Sequence, residues 1–210
     1  FKIVFDVGAH KGETIDLYLK HFNIEKIYSF EPNYYSFKYL EKYISQLRSK
    51  KNKTTIIVEN IALGPENKRI KIKSMNESSS SLIKEFNTES NYFKRKKKLL
   101  FNMKNQKFFN EIITQQLSLD DYMLKKKIIK LDFLKIDTEG YEFDILLGAK
   151  NNIKNINLIL FEHHYHDMIK KNYKFNDVHY LLKKNNFEQI YKAKMPFRKT
   201  FEYIYKNKTY

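Results

Sequence analysis

Short apolar segments alternate with amphipathic segments along most of this sequence, and that alternation constrains the fold more than any other feature. Five apolar runs have the length and composition of buried strands: residues 2–7, 26–31, 54–63, 133–137 and 156–162. Helical periodicity occurs between or after them, at residues 13–22, 34–47, 118–123, 141–149 and 176–185. This order predicts an α/β protein in which helices cover both faces of one sheet.

The end of the chain predicts a departure from purely parallel pairing. Residues 187–193 and 201–207 have strand composition, and the connection between them is far too short for a parallel crossover. The sheet is therefore predicted to be mostly parallel, with an antiparallel hairpin at its C-terminal end. Residues 69–74 alternate as a solvent-edge strand does, and Ser118 is a candidate N-cap for the helix that follows it.

A polar insertion is predicted at about residues 75–115. This stretch is rich in Ser, Asn and Lys and has few periodic apolar positions. We interpret it as a segment that partly covers a site, the alternative being a mobile loop. No internal repeat is visible, so residues 1–210 are predicted to form a single domain, trimmed from a longer chain because the sequence begins directly in an apolar run.

Composition excludes several classes of protein. The sequence is 42% hydrophobic and 16% aromatic, which supports a packed core although 30% of the residues are charged. It contains no cysteine, which rules out disulfides, thiolate metal sites and a cysteine nucleophile. No segment approaches the roughly 20 apolar residues of a membrane-spanning helix. A cytoplasmic location is the expectation.

The net charge of +16 raises the question of a nucleic-acid partner. Lysine far outnumbers arginine, and Lys, Asn, Ile, Tyr and Phe are abundant throughout, as in proteins encoded by AT-rich genomes. Specific recognition of phosphates and bases favours the bidentate fork of arginine. We therefore attribute the charge to general composition, and the run KRKKK at residues 94–98 to a solvated surface.

Acidic residues recur where the predicted parallel strands end. The carboxyl ends of these strands are 6–8, 31, 60–62, 137–140 and 162–164, and all but one of these positions carry an acid. Ligands of open α/β sheets bind outside the carboxyl ends of the strands, near the point where the strand order reverses. The functional site is predicted at this edge.

Glu31 is the first candidate for contact with a nucleoside. It ends the second predicted strand, nineteen residues after Gly12, where an acid accepts hydrogen bonds from both hydroxyls of a ribose. The alternative is a carboxylate stabilised by the dipole of the following helix. Because a glycine-rich turn precedes Glu31 in the sequence, the ribose interpretation is favoured.

The turn FDVGAHKGET differs from the dinucleotide fingerprint, because Gly8 and Gly12 are four residues apart. Asp6 at its entrance repels a phosphate and attracts a cation. S-adenosylmethionine is a nucleoside that carries positive charge beside its ribose, and the glycines would allow its amino-acid tail to approach closely. A plain glycine-rich turn remains the alternative from this motif alone.

Four segments together resemble the FkbM family of S-adenosylmethionine-dependent O-methyltransferases: LKIDTEGYEFDILLGA, SLDDY, FDVGAHKGET and FEPNYYSFKYL. VENIALG fits the third-strand segment of that family, and the similarity runs in order over nearly the whole chain. The resemblance implies a Rossmann-like, seven-stranded class I methyltransferase sheet. It assigns Asp6, Gly8, His10 and Gly12 to the cofactor loop, Glu31 to the ribose, and Asn60 and Ala62 to the adenine side. His10 and Lys11 depart from the pattern common in the family.

Methyl transfer to a sugar hydroxyl needs a group that removes the hydroxyl proton. The candidates are Asp137, Glu139, Glu162 and His163, with His163 preferred among the histidines of EHHYH because it follows Glu162. Asp137, Glu162 and His163 together are also candidate ligands for magnesium or manganese. A sugar or glycan, either a surface polysaccharide or a nucleotide-sugar precursor, is the expected acceptor.

Two alternatives stay open from the sequence. RNA 2′-O-methylation is suggested by the net charge and by residues 94–98, although the sequence lacks an evident lysine-centred base set. Lys135 is expected to point into the sheet interior or to pair locally. The second alternative is a non-catalytic nucleoside-binding module of a larger protein.

Overall fold

The structure, a computed structural model, describes residues 1–48, 53–75, 81–82, 87, 89–91, 94, 109–167, 169–196 and 199–210. The predicted run 94–98 and most of the predicted insertion lie outside these residues. Within the described part of the chain, no helix is both long and apolar enough to cross a membrane.

The main sheet is formed by seven strands: β1 Ile3–Val7, β2 Lys26–Phe30, β3 Thr55–Glu59, β8 Leu131–Ile136, β9 Ile156–His164, β10 Phe187–Lys194 and β11 Thr200–Asn207. Their order across the sheet is β10-β11-β9-β8-β1-β2-β3. Pairing is parallel from β3 to β9, whereas β11 runs antiparallel to both β9 and β10. The predicted mostly parallel sheet with a C-terminal hairpin is confirmed. The strand order reverses between β1 and β8, so the carboxyl ends of these two strands mark the switch point.

The helices divide between the two faces of this sheet. They are α1 Glu13–His21, α2 Tyr34–Arg48, α3 Leu119–Lys125, α4 Glu142–Leu147 and α5 Phe175–Lys184, with a 3-10 turn at Ile153–Asn155. Buried side chains of α1 and α2, such as Ile15 and Leu40, form one core with β1 and β2. Those of α3, α4 and α5, such as Tyr122, Ile145 and Leu182, form the larger core on the opposite face. Burial of these apolar faces is the main force that holds the helices to the sheet.

A second sheet was not foreseen from the sequence. It has four strands in the order β4-β7-β5-β6, formed by β4 Ala62–Gly64, β5 Lys68–Met75, β6 Ser81–Leu82 and β7 Phe109–Ser118. The single strand predicted at 54–63 is wrong, because Asn60 and Ile61 separate β3 in the main sheet from β4 in the second. Residues 109–115, assigned to the insertion, belong instead to β7, which pairs with β5 along the whole length of β5.

Ser118 caps α3 as the sequence predicted. Its hydroxyl oxygen accepts a hydrogen bond from the backbone N–H of Asp121 at 3.0 Å. We expect Ser118→Ala to lower the free energy of unfolding by about 1 kcal/mol, because a helix N–H then loses its acceptor. Urea denaturation followed by circular dichroism measures this as a lower midpoint with an unchanged slope.

The matched control is Ser45→Ala on α2. The Ser45 hydroxyl donates to the Lys42 carbonyl on an exposed helix surface, so its loss should change stability by less than about 0.5 kcal/mol. Equal effects of the two substitutions would contradict a capping role for Ser118.

Candidate active site

The turn after β1 is held against the ends of β2 and β8. Gly8 and Gly12 have φ angles of 82° and 99°, and His10 has a φ of 49°. The N–H groups of Gly8 and Ala9 both donate to the carbonyl of Phe30 at 3.0 Å. A Cβ on Gly8 would overlap the backbone oxygen of Asp137, so only glycine fits there. The turn thus lies directly at the switch point.

Glu31 closes this turn from the end of β2. Its carboxylate is buried and accepts hydrogen bonds from the N–H groups of His10 and Asn33, both at 2.9 Å. Burial raises the pKa of Glu31 to about 7, although these two donors oppose the rise. The side chain of Asn60 donates to the Glu31 carbonyl at 2.8 Å. The structure therefore brings His10, Glu31 and Asn60 together, while Ala62 is a buried residue of β4 in the second sheet.

Asp6 pairs with a lysine from the neighbouring strand. Its carboxylate is fully buried, and Lys135 Nζ lies 3.1 Å from Asp6 Oδ1 and 3.5 Å from Asp137 Oδ2. Burial raises the pKa of Asp6, against the opposing charge of Lys135. Burial also disfavours the charge on Lys135, but the Asp6 and Asp137 carboxylates hold its pKa above the usual range. We name these three residues the switch-point triad.

A second ionisable cluster follows β9. His164 Nε2 lies 3.1 Å from Glu139 Oε2 and 3.4 Å from Glu162 Oε1 as an ion pair with each carboxylate. On the other side of the ring, His164 Nδ1 lies 3.0 Å from the hydroxyl of Thr200. All three members are largely buried, at 4% exposed side chain for His164, 10% for Glu162 and 27% for Glu139. We name Glu139, Glu162 and His164 the proton cluster.

Burial and charge raise the pKa values of two members of the proton cluster, Glu162 and His164. Burial raises the pKa of Glu162 to about 7, the charge of Asp137 adds to the rise, and His164 opposes it. Burial alone would lower the pKa of His164, but the Glu139 carboxylate and the charge of Glu162 raise it. Groups that interact this closely titrate as a unit. The cluster can therefore take up and release a proton near pH 7.

His163 lies on the other face of β9, because successive side chains of a strand alternate. Its ring is buried among Tyr165, Tyr173 and Phe175, at centroid distances of 4.7, 5.8 and 5.8 Å. Burial lowers the pKa of His163 to about 3, and the positive charge of Lys171 adds to the effect. The assignment of His163 as the base stays a prediction, and the geometry favours His164 in that place.

The KIDTEGYE motif positions the proton cluster through a tight turn. Glu139 and Gly140 have φ angles of 53° and 99°, and a Cβ on Gly140 would press against Ile169. The turn is fixed by Glu142, whose fully buried carboxylate accepts from the Gly140 N–H at 2.8 Å and from the Tyr173 hydroxyl. The sequence motif contains Glu142, but its role could not be assigned until the turn geometry was known.

A cavity of about 440 Å³ opens beside this turn. Its lining consists of His163, His164, Tyr165, His166, Lys171, Tyr173, Lys174, Phe175 and Asn176. His164 belongs both to this lining and to the proton cluster, so the cavity and the cluster meet at the end of β9. We name this space the β9 cavity.

The structure does not support the metal site expected from Asp137, Glu162 and His163. Among the described residues, no three histidines or carboxylates lie together in a way that could hold a metal ion. Glu162 pairs with His164, Asp137 pairs with Lys135, and the ring of His163 faces the aromatic side chains. No step of the reaction is therefore assigned to a metal.

The strand order, the glycine turn at the switch point and the antiparallel C-terminal hairpin define a class I methyltransferase fold. The sequence model of one protein family, described as the methyltransferase FkbM domain, matches residues 6–188 of this chain. This chain therefore belongs to the FkbM methyltransferase domain family. No curated protein matches the sequence.

Solved structures with the same fold are distant in sequence. Methyltransferase FkbM from Methylobacillus flagellatus KT has a TM-score of 0.61 and 16% identity, with 98% of this chain and 43% of that chain covered. M. capricolum TrmK in complex with S-adenosyl-homocysteine has a TM-score of 0.54 and 11% identity, with coverages of 100% and 63%. Magnesium protoporphyrin IX methyltransferase from Synechocystis PCC 6803 with bound SAM has a TM-score of 0.51 and 7% identity, with coverages of 97% and 69%. This chain thus spans less than half of the Methylobacillus protein.

Proposed function

We propose that this protein is an S-adenosylmethionine-dependent O-methyltransferase that modifies a hydroxyl of a sugar or glycan. One observation carries the proposal: a single edge of the sheet holds both the Glu31 turn and the proton cluster. The Glu31 turn is suited to bind a nucleoside, and the proton cluster is suited to accept the proton of a hydroxyl group. Membership of the FkbM family and the cofactors named in the M. capricolum and Synechocystis structures support the choice of cofactor.

The environment of Glu31 fits the ribose of that cofactor. A carboxylate has about four acceptor positions, and two are used by the N–H groups of His10 and Asn33. A buried carboxylate with an upshifted pKa gains from further donors, which two ribose hydroxyls would supply. Two buried polar atoms near this edge, His10 Nε2 and Thr138 Oγ1, have no hydrogen-bond partner among the described residues. Gly8, Gly12 and Asn60 would complete the binding site.

The residues of this chain would orient the acceptor and remove its proton. When bound, S-adenosylmethionine supplies an electrophilic methyl group, which passes to the acceptor oxygen while the sulfur keeps the electron pair of the broken bond. Glu162, with its pKa near 7, accepts the hydroxyl proton, and His164 beside it shares that proton. Thr200 and Glu139 hold the imidazole in place for this transfer.

The alternatives have less support in the described structure. The RNA hypothesis rested on the net charge of +16 and on residues 94–98, of which only Lys94 is described, and Lys94 Nζ donates to Glu89 Oε2 at 3.0 Å. A binding module without catalysis would have no use for a buried carboxylate–histidine cluster poised near pH 7 beside a cavity. Catalysis is therefore the function that the geometry favours.

The test of the cofactor is calorimetry with S-adenosylmethionine. We expect Glu31→Gln to weaken binding roughly 10- to 100-fold, since hydrogen bonds to a charged group contribute about 1.5–3 kcal/mol. Wild-type affinity should rise between pH 6 and pH 8, because Glu31 must be ionised to accept both hydroxyls and its pKa in the free protein is about 7. Glu31→Gln should lose this pH dependence.

Glu188→Gln is the control, because it removes the same charge from an exposed position on β10. It should leave the affinity within about two-fold of wild type. Failure of folded wild-type protein to bind S-adenosylmethionine would refute the proposed function. Equal affinity of wild type and Glu31→Gln would remove only the ribose role of Glu31.

A further inference from the structure

The β9 cavity has a positively charged lining. Lys171 and Lys174 contribute ammonium groups, and among the described residues that line the cavity none is a carboxylate. Lys174 is exposed and precedes the first residue of α5, whose N-terminal end carries partial positive charge. The carboxylates near these elements are already engaged: Glu142 by Tyr173 and Gly140, and Asp177 by the backbone of Lys174.

Lys171 is placed to bind an anion. It is partly buried, its Nζ donates to the carbonyl of His164, and the ammonium lies 5.6 Å from the centroid of the Tyr173 ring. An ammonium has three N–H donors, and a backbone carbonyl satisfies only one of them. Burial lowers the pKa of Lys171 although the charge of Glu142 opposes the shift, so an anion in the cavity would add compensation to a charge that water solvates poorly.

The remaining wall of the cavity is aromatic. Tyr165, Tyr173 and Phe175 surround the ring of His163, and all four residues line the cavity. The apolar faces of sugar rings pack against such side chains. His163 Nδ1 is a buried atom with no hydrogen-bond partner among the described residues, and it lies behind this aromatic wall.

We propose that the β9 cavity binds the acceptor as a sugar that carries an anionic group, either a carboxylate or a phosphate. The anion contacts Lys171 and Lys174, the ring packs on the aromatic wall, and a ring hydroxyl lies at the end of β9 that carries the proton cluster. The volume of about 440 Å³ accommodates one or two sugar rings. This inference rests on the proposed methyltransferase function and adds the charge class of its substrate.

Three probes with one ring type test it: glucuronate, glucose 6-phosphate and glucose. Their binding is measured by ligand-detected NMR on the wild-type protein, and S-adenosylmethionine binding is measured separately by calorimetry. We expect at least one anionic sugar to bind ten-fold or more tightly than glucose. Lys171→Gln and Lys174→Gln should each remove most of that preference. Lys174→Gln is the safer variant for folding, because the side chain is exposed.

Lys184→Gln is the control. It removes the same charge from the far end of α5, about 15 Å from the cavity by the rise of a helix, and should keep the preference for the anion. Glucuronate and glucose 6-phosphate separate carboxylate from phosphate recognition. Equal binding of all three probes, no binding at 10 mM, or an equal loss in Lys184→Gln would each overturn the inference. If S-adenosylmethionine still binds in that case, only the substrate class fails; if it does not, the proposed function fails as well.

Discussion

Lys135→Met is expected to lower the free energy of unfolding by about 3–5 kcal/mol, because it leaves a fully buried carboxylate without its counter-charge. Asp6 has no other hydrogen-bond partner among the described residues, and Asp137 would lose its contact with the same ammonium. Urea denaturation at pH 8 measures the loss. Lys150→Met, at an exposed position, should change stability by less than about 0.5 kcal/mol.

The double variant Lys135→Met/Asp6→Asn identifies the cause of the loss. Removing the uncompensated carboxylate should recover most of the stability, as expected for two groups coupled in one pair. The sign of the pH dependence follows from the raised pKa of Asp6. A carboxyl whose pKa is raised on folding favours the folded state at low pH, where it is protonated, and this contribution is lost as the pH rises. The loss of stability in Lys135→Met should therefore shrink toward pH 4, where Asp6 becomes neutral and no longer needs the lysine. A deficit that does not depend on pH or on Asp6 would show that only the packing of the lysine stem matters.

The sequence predicted the acids at the strand ends but not the partner of Asp6. From strand alternation, Lys135 was expected to face the interior of the sheet or to pair with a residue nearby in the sequence. In the structure it pairs with Asp6, which lies 129 residues earlier in the chain. The contact follows from the parallel register of β1 and β8, in which Asp6 lies opposite Lys135. Local hydrophobic patterns predict that strands exist, whereas the register between strands distant in sequence depends on the whole sheet. Asp6 is therefore buried and paired with Lys135.

The second sheet also depends on strand pairing that local sequence patterns do not predict. Residues 54–63 form one apolar run, so periodicity alone joined β3 and β4. In the structure Asn60, between the two strands, donates to the Glu31 carbonyl, and β4 pairs with β7 instead of continuing β3 in the main sheet. Likewise, residues 109–118 contain few strongly apolar positions, and their strand conformation depends on pairing with β5. Pairing between strands that are distant in sequence overrides weak local propensity.

The histidines of EHHYH show what alternation along a strand could have predicted. Glu162 and His164 are two residues apart, so they share a face of β9, whereas His163 lies on the other. Adjacency in sequence favoured His163 beside Glu162, but adjacency within a strand separates two side chains. Alternation alone did not predict that Glu139 joins this face: its carboxylate, from a turn in which Glu139 and Gly140 have positive φ angles, lies 3.1 Å from His164 Nε2.

Glu162→Gln is expected to lower kcat by about 10²- to 10⁴-fold with the acceptor that the wild-type enzyme methylates, because the proton acceptor is lost. The affinity for S-adenosylmethionine should change little, since Glu31 and its turn belong to other strands. Wild-type kcat should rise from pH 6 to pH 8 as the carboxyl, with its pKa of about 7, loses its proton. That rise should be absent in Glu162→Gln. Formation of S-adenosylhomocysteine over a pH series measures both effects.

Glu25→Gln removes an equal charge at the opposite end of the sheet, just before β2, and should retain wild-type kcat and its pH profile. His164→Asn tests the other half of the pair. Because His164 and Glu162 titrate together, it should lower kcat and also shift the pH at which the remaining activity rises. If His163→Phe instead reproduced the loss of Glu162→Gln, including the loss of its pH dependence, the proton would belong to His163 on the other face of β9. A wild-type pH profile in Glu162→Gln would contradict the proton cluster as the base, because the pH dependence of kcat would then come from a group other than Glu162.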